Sequence, residues 1–155
     1  MRRLLLALPL LLALPLSSCS DSEPFVPNIE TANFDPSLGV NLAGSTKTAS
    51  GLYYRDITVG SGALVPATGT QPVRVQYTGY FRSGVSFDAG TFDFTVGSTG
   101  ANSAIAGMDE GVRGMQVGGQ RQLIIPPHLG YGGSPYGSIP ANSILVFNVT
   151  LTNVF

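Results

Sequence analysis

The side chains that could form a functional site in this sequence are aromatic rather than nucleophilic or metal-binding. His128 is the only histidine, and its place after two prolines at the end of a predicted strand favours a solvated loop residue over a general base. Cys19 is the only cysteine, which excludes an internal disulfide and leaves no credible zinc site. The stretch 97–100 lacks the lysine and the spacing of a phosphate-binding loop. We therefore expect neither a metal nor another cofactor, and we set aside hydrolase, kinase and dehydrogenase chemistry.

An ordered series of aromatic, glycine and acidic residues occupies the second half of the chain. Its members are Tyr77-Thr78-Gly79, Gly84, Phe87-Asp88, Phe92 and Phe94, Gly107-Met108-Asp109-Glu110-Gly111, Gly118-Gly119-Gln120-Arg121, Ile125-Pro126-Pro127, Tyr131-Gly132, Ile139-Pro140 and Leu145-Val146-Phe147. In this order the series resembles the FKBP-type peptidyl-prolyl cis-trans isomerases. The resemblance implies an FKBP-like half-wrapped antiparallel sheet around one short helix, with a shallow apolar pocket between them for a prolyl ring.

The resemblance also implies an activity and its partners. It implies an isomerase that accelerates rotation about X–Pro bonds in exported proteins and so assists their folding, without covalent or metal chemistry. The expected partners are proline-containing polypeptides, and a macrolide of the tacrolimus or rapamycin type is a candidate ligand of the pocket. The alternative is a binding or chaperone module that holds prolyl segments with weak or no isomerase activity.

Individual positions carry over from the family's pattern in two groups. The resemblance implies catalytic roles for Tyr77, Phe87, Asp88, Tyr131 and Phe147. It implies substrate-binding roles for Phe92, Ala104, Ile105, Met108 and Ile139, with Phe94 as the alternative to Phe92. The hydroxyl of Tyr131 and the backbone N–H of Ile105 match groups that donate to a ligand carbonyl.

Three features depart from the family's pattern. Only three residues, 89–91, separate Asp88 from Phe92, where family members commonly have a longer segment with a basic residue that pairs with the acid. Met108 stands where a tryptophan is common, which makes a softer pocket floor. The segment 97–104 is longer than in compact members. These departures bear on catalytic efficiency and macrolide binding, and they keep the binding-module alternative open.

The elements that must position these residues form an α+β pattern. With 20 glycines and 11 prolines in 155 residues, the composition favours a turn-rich β protein. Extended, partly alternating segments predict about five strands, over 52–59, 73–81, 91–97, 120–125 and 144–155, with a further extended stretch over 85–88. A helical spacing of Ile105, Met108, Val112 and Met115 predicts one short helix within 104–115. We expect an antiparallel sheet wrapped on that helix.

The first residues predict export and lipid anchoring. A basic start at residues 1–3 and the apolar run 4–16 indicate a signal peptide over 1–18, which ends in a lipobox before Cys19. Lipidation of Cys19 would anchor the domain to a membrane of the bacterial cell envelope, outside the cytoplasm. An ordinary signal peptide with an unmodified cysteine is the alternative.

The rest of the chain divides into a linker and one domain. Residues 19–47 lack sustained periodicity and are predicted to be an extended linker, with docking of 34–42 on the domain as the alternative. Residues 48–155 are predicted to be the isomerase domain. A formal net charge of −1, with 11% charged residues, argues against a nucleic-acid partner. No dimerisation helix is visible in the sequence, so we expect a monomer.

Overall fold

One antiparallel sheet of six strands organises the part of the chain that the computed structural model describes, residues 26–100 and 103–155. The strands are β1 (Thr46–Lys47), β2 (Tyr53–Thr58), β3 (Gln71–Phe81), β4 (Ser86–Val96), β5 (Gln120–Ile125) and β6 (Leu145–Val154), in the spatial order β1-β2-β5-β6-β3-β4. Every pair of neighbours is antiparallel. One short helix, α1 (Ala106–Val112), packs against the sheet. The predicted α+β fold is therefore confirmed.

The two longest strands, β3 and β4, form the hairpin that carries one side of the site. The predicted turn between them is present, since Gly84 has a φ of 84° and its N–H donates to the carbonyl of Phe81 over 2.9 Å. The two extended segments predicted on either side of Ala89 and Gly90 are one strand, because both residues continue the ladder with β3. This continuity places Asp88 on the same edge strand as the aromatic residues that follow it.

The helix is shorter than the predicted segment 104–115. It begins after Ile105 and ends before Arg113, whose ψ of 137° is extended rather than helical. Gly107 and Gly111 face β5, and a Cβ at either position would lie 2.6 Å from a side-chain carbon of that strand. Both glycines therefore permit the close approach that brings the helix against the sheet, at the cost of a helix too weak to run further.

The inner face of the sheet and the helix enclose the main core. Its side chains with no exposed surface are Leu52, Val65, Val73, Val75, Val96, Val112, Leu123, Ile125, Leu145, Val149 and Leu151. Because successive side chains of a strand point to opposite faces, Phe147 of β6 lies on this face while its neighbour Val146 lies on the other. The same strand therefore contributes to two separate apolar clusters.

The outer face of the sheet is covered by the described part of the predicted linker. Two 3-10 turns, Ile29–Thr31 and Pro36–Leu38, each place one buried apolar side chain there. The side-chain amide of Gln122 on β5 donates to the carbonyl of Leu38 over 2.8 Å. Residues 26–47 therefore differ from the extended-linker prediction, and packing of Phe34, Val40 and Leu42 corresponds to the docking alternative. Short irregular turns give no apolar period from which this docking could be predicted.

The predicted signal peptide over 1–18 and the predicted lipidation site, Cys19, lie outside the described residues. The first described residue, Val26, is exposed at the surface. None of the helices among residues 26–100 and 103–155 is long and apolar enough to cross a membrane.

Candidate functional site

A shallow cavity of about 290 Å³ lies between α1, the inner face of the sheet and the loop that follows β5. It is lined by Tyr77, Asp88, Phe92, Ser103, Ala104, Ile105, Met108, Tyr131, Tyr136 and Phe147. All of the predicted site residues are in this set except Phe87 and Ile139. Ser103 and Tyr136 are additions that the sequence analysis did not single out.

Two aromatic side chains from the centre of the sheet form one wall of the cavity. Tyr77 on β3 and Phe147 on β6 both point to the inner face, and their ring centroids lie 6.1 Å apart with the planes tilted by 49°. Phe147 is only 3% exposed, so a small part of its ring meets the cavity and the rest belongs to the core. Phe147 is therefore both a core residue and part of the cavity wall.

Phe87 packs against this wall and is not among the described residues that line the cavity. Its ring meets Phe147 edge-on at a centroid distance of 5.6 Å and packs against Phe81 at 4.9 Å. The space for this cluster depends on Gly79, where a Cβ would lie 2.6 Å from Phe87 and 2.8 Å from Phe147. Phe87 therefore supports Phe147, and the direct pocket contact that the resemblance implies for Phe87 stays a prediction.

The two candidate aromatic residues of β4 differ in how deeply they are buried. Phe94 is 2% exposed and belongs to the core, whereas Phe92 is 36% exposed and lines the cavity. Their rings stack at a centroid distance of 5.3 Å with the planes 17° apart. Of the two alternatives, Phe92 is the residue at the cavity, and Phe94 supports it from the core side.

The start of the helix supplies the floor. Met108 is 4% exposed and lines the cavity together with Ala104 and Ile105, which precede the helix. Asp109, in the first turn, accepts a hydrogen bond of 2.6 Å from the backbone N–H of Gly97 at the end of β4. This bond fixes the residue after β4 against the helix, and Ala104 and Ile105 line the cavity.

The polar side chains that line the cavity carry three phenols, one aliphatic hydroxyl and one carboxylate. The Tyr77 hydroxyl donates to Oδ2 of Asp88 over 2.7 Å. Burial, followed by the hydrogen bond to Asp88, raises the pKa of Tyr77 to about 12. Burial, followed by the nearby Tyr136 and Asp88, also raises the pKa of Tyr131. The phenols of Tyr77 and Tyr131 therefore keep their protons at neutral pH and remain hydrogen-bond donors.

Among the described residues, Asp88 has no basic partner of the kind that the resemblance implies for this acid. The ion pairs found among the described residues are Lys47–Glu30, Arg74–Asp93, Arg113–Asp109 and Arg121–Asp56. Within that part of the chain, the hydroxyl of Tyr77 is the one side-chain group that bonds Asp88. The carboxylate is oriented by a neutral donor, and its charge is not offset by a neighbouring cation.

The loop after β5 completes the cavity with Tyr131 and Tyr136. Ile139 is 6% exposed, packs in the core and is not among the described residues that line the cavity. Its backbone instead pairs with Tyr136, since the N–H of each residue donates to the carbonyl of the other over 2.8–2.9 Å. An aromatic residue in a glycine-rich and proline-rich loop was the available signal for Tyr136. Ser103 carried no such signal.

Comparison with known sequences gives matches over most of this region. The family model for the FKBP-type peptidyl-prolyl cis-trans isomerases matches residues 65–152. FK506-binding protein 4 of Mycosarcoma maydis is 41% identical over 114 residues, which cover 71% of this chain and 29% of that protein. The peptidyl-prolyl cis-trans isomerase FKBP15-3 of Arabidopsis thaliana is 37% identical over 123 residues, which cover 76% of this chain and 83% of that protein. The matched region spans only 22–29% of the length of the first four curated relatives.

Solved structures show the same similarity. FkpA from Escherichia coli superimposes with a TM-score of 0.61 at 33% identity, over 72% of this chain and 51% of the FkpA chain. AtFKBP13 superimposes with the same TM-score at 29% identity, over 70% of this chain and 97% of the other.

Proposed function

The chain belongs to the FKBP-type peptidyl-prolyl cis-trans isomerase family, and on that basis we propose that it accelerates the isomerisation of X–Pro bonds in exported proteins. The observation that carries the proposal is the composition of the cavity. Its walls and floor are apolar and aromatic, and its polar side chains are hydroxyls and one carboxylate. This composition suits a reaction in which no proton and no covalent bond is transferred.

The barrier to X–Pro isomerisation comes from amide resonance. Rotation about the C–N bond costs about 18–20 kcal/mol because resonance gives it partial double-bond character. The cis and trans forms at proline nevertheless differ by only about 1 kcal/mol, so a catalyst needs to lower the barrier without shifting the equilibrium. An apolar cavity that removes water from the carbonyl disfavours the charge-separated resonance form, which lowers the cost of twisting. Each 1.36 kcal/mol removed from the barrier gives about a tenfold faster exchange.

The residues of the cavity divide this task between them. In the proposed complex the prolyl ring rests on Met108, between the Tyr77 and Phe147 wall and the exposed ring of Phe92. The Tyr131 hydroxyl and the backbone N–H of Ile105 donate to carbonyls of the substrate, which fixes the chain on either side of the twisting bond. Phe87 acts through Phe147 as a positioning residue.

Asp88 has a separate role in this proposal. By accepting from Tyr77 it fixes the orientation of that phenol at the wall of the cavity. Its negative charge lies beside the amide during rotation, where it favours the more positive carbonyl carbon that results when the twisted nitrogen no longer donates its lone pair. A neutral amide at this position would keep the hydrogen bond and lose the charge, so Asp88→Asn separates the two contributions.

A second candidate function is a proline-binding module with little catalysis. Two observations favour it, the flexible Met108 as the floor and an Asp88 without an ion pair among the described residues. Both features would make the site hold the amide less firmly in its twisted geometry. They would leave binding of a prolyl segment largely intact.

Exchange NMR on a short X–Pro peptide separates these functions. We expect the detergent-solubilised full chain to accelerate cis–trans exchange, and we expect a macrolide of the tacrolimus or rapamycin type to abolish the acceleration by filling the cavity. Peptide binding without acceleration, in a protein shown to be folded, would favour the binding module.

We further propose that the chain is a lipid-anchored monomer of the bacterial cell envelope, exposed outside the cytoplasm. Lipidation of Cys19 would attach the chain covalently to the bilayer. The domain would therefore work close to the membrane surface. We expect Cys19→Ser to release the protein from membranes, and continued membrane retention of that variant would contradict the anchor. Sedimentation of the solubilised protein tests the monomer.

A further inference from the structure

Tyr136 is a large aromatic side chain that is 63% exposed at the rim of the cavity. An exposed ring forgoes the burial free energy that usually keeps such side chains in the interior. This ring is nevertheless packed against Tyr131, with the centroids 4.6 Å apart and the planes at 12°. The pair extends the aromatic wall of the cavity outward, beyond the space that a prolyl ring needs.

The rim is rigidly held by its own turn. The reciprocal backbone hydrogen bonds between Tyr136 and Ile139 close a tight turn, and Ile139 anchors it in the core. The backbone N–H of Asn142 donates to the carbonyl of Gly132 over 2.8 Å, which fastens the base of the loop. A ring held in this way loses little conformational freedom when a ligand binds to it.

The charged side chain at the rim is acidic. Asp88 is the only charged residue among the described residues that line the cavity. Tyr131 and Tyr136 line the same cavity and stack on each other, so the carboxylate and the two rings form one neighbourhood. The faces of aromatic rings are electronegative and attract cations, most of all planar guanidinium groups. The ring faces and the carboxylate therefore both attract a cationic ligand.

We propose that Tyr136, together with Asp88, makes the rim selective for substrates in which an arginine or lysine flanks the proline. The proposal rests on the proposed isomerase function, because the proline must occupy the cavity for its neighbour to reach the rim. The cationic side chain lies on the exposed face of Tyr136 and is attracted by the charge of Asp88. An acidic side chain at the same place is repelled.

Peptides that differ only in charge test this selectivity. Arginine and citrulline have nearly the same shape, and each is placed either before or after the proline of otherwise identical short peptides. Exchange NMR with the detergent-solubilised full chain then gives the ratio of kcat/KM for the arginine peptide to that for the citrulline peptide. An exposed cation–π contact corresponds to a ratio of roughly 2- to 5-fold, and we expect it at one or both positions.

Three variants assign the ratio to the ring. We expect Tyr136→Ala to lower it towards the smaller share that Asp88 supplies and Tyr136→Phe to preserve it, since phenylalanine retains the ring face. Phe155→Ala removes an aromatic residue that is 59% exposed and does not line the cavity, and it should leave the ratio unchanged. A ratio near one at both positions in the wild-type protein would overturn the proposal, as would a ratio that survives in Tyr136→Ala.

The same titrations keep this proposal separate from the proposed function. Chemical-shift changes of the peptides report binding whether or not exchange is accelerated. If no peptide is isomerised, the isomerase proposal fails, and the arginine-to-citrulline ratio of dissociation constants still decides the selectivity of the rim. Equal affinities in that case would overturn the rim proposal as well.

Discussion

The two faces of the sheet carry similar apolar side chains, but only one of them is closed. Residues 26–47 cover the outer face, where Leu38 packs beside Ile124 and its carbonyl accepts from Gln122. On the inner face the seven-residue helix covers only part of the sheet and leaves the aromatic cavity beside it. Burial on both faces stabilises the fold, whereas a binding site exists only on the face where the covering is incomplete.

The contrast reaches single neighbouring residues. Val146 and Phe147 follow each other on β6, with 0% and 3% exposure, so burial alone does not distinguish them. Val146 points to the closed face and Phe147 to the cavity. Substitutions on the outer face should therefore change stability alone, and substitutions on the inner face should change stability and activity together.

The largest effect is expected for Phe147→Ala. Loss of a buried aromatic ring should lower the free energy of unfolding by about 3–5 kcal/mol. Loss of the wall should also remove about 2 kcal/mol of transition-state stabilisation, or roughly thirtyfold in kcat/KM. Val146→Ala is the matched control, with a stability loss of about 1–3 kcal/mol and activity within twofold of wild type. Urea unfolding and peptide exchange at low temperature measure both quantities, and equal activity losses would contradict the distinction between the faces.

The next largest effect is expected for Phe87→Ala, because the ring of Phe87 packs edge-on against Phe147. We expect a severe loss of kcat/KM, roughly tenfold, because the unsupported wall shifts by more than the site tolerates. Phe87→Leu fills most of the space and should recover much of the activity, which a direct ring contact with substrate would not allow. Unchanged turnover in folded Phe87→Ala would overturn the positioning role.

Leu38→Ala tests the closed face from the side of the covering segment. Removal of this buried side chain should lower the free energy of unfolding by about 2–4 kcal/mol. Since the change lies across the sheet from the cavity, kcat/KM of the folded protein should stay within twofold of wild type. A selective loss of activity at unchanged stability would show that the covering segment acts on the site.

Tyr131→Phe should have a modest effect. The variant keeps the ring and its stacking with Tyr136 and removes one hydrogen-bond donor, worth about 0.5–1.5 kcal/mol. We expect a decrease in kcat/KM of roughly threefold with little change in the melting temperature. A loss as large as that of Phe147→Ala would mean that the hydroxyl, rather than the apolar wall, dominates catalysis.

Changes of pH are expected to have the smallest effects on stability, and these effects differ between the two faces of the sheet. On the inner face the folded protein holds the Tyr77 proton up to a pKa of about 12, above the ordinary value of 10. The unfolded chain loses that proton first, so stability should fall as pH rises from about 10 to 12. On the outer face, hydrogen bonds from Lys47 and Tyr53 lower the pKa of Glu30. That contribution should be lost as pH falls below the ordinary value of 4.5.

Urea unfolding across pH measures both windows. Tyr77→Phe should flatten the alkaline one and Glu30→Gln the acidic one, each without affecting the other. Between pH 6 and 9 both groups keep their charge states, so kcat/KM should be nearly constant there. A steep activity change within that range would point to a titrating catalytic group that the site does not contain among its described residues.

Much of the inner face could be predicted from the sequence, and little of the outer face could. The alternation in β6 and the series from Tyr77 to Phe147 depend on local periodicity and on ordered motifs, which are visible in one chain. The docking of Leu38 depends on contacts with strands some 85–110 residues further along the chain, and no local pattern records such contacts.

Within the site, the differences from prediction have the same origin. Phe87 is predicted at the cavity surface, and its packing against Phe147 depends on the absence of a side chain at Gly79 on the neighbouring strand. Ile139 is predicted at the cavity, whereas its side chain packs in the core and its backbone pairs with Tyr136 at the rim. In both cases residue type was informative, and the final position was decided by a partner distant in sequence or by turn geometry.

Exchange NMR on an X–Pro peptide with wild-type protein, Phe147→Ala and Val146→Ala is the most direct test of the central claim. The claim is that the open aromatic face of the sheet catalyses the isomerisation. It predicts saturable acceleration by the wild-type protein and by folded Val146→Ala, with roughly thirtyfold less from folded Phe147→Ala. Folded wild-type protein that binds the peptide and leaves its exchange rate unchanged would contradict it.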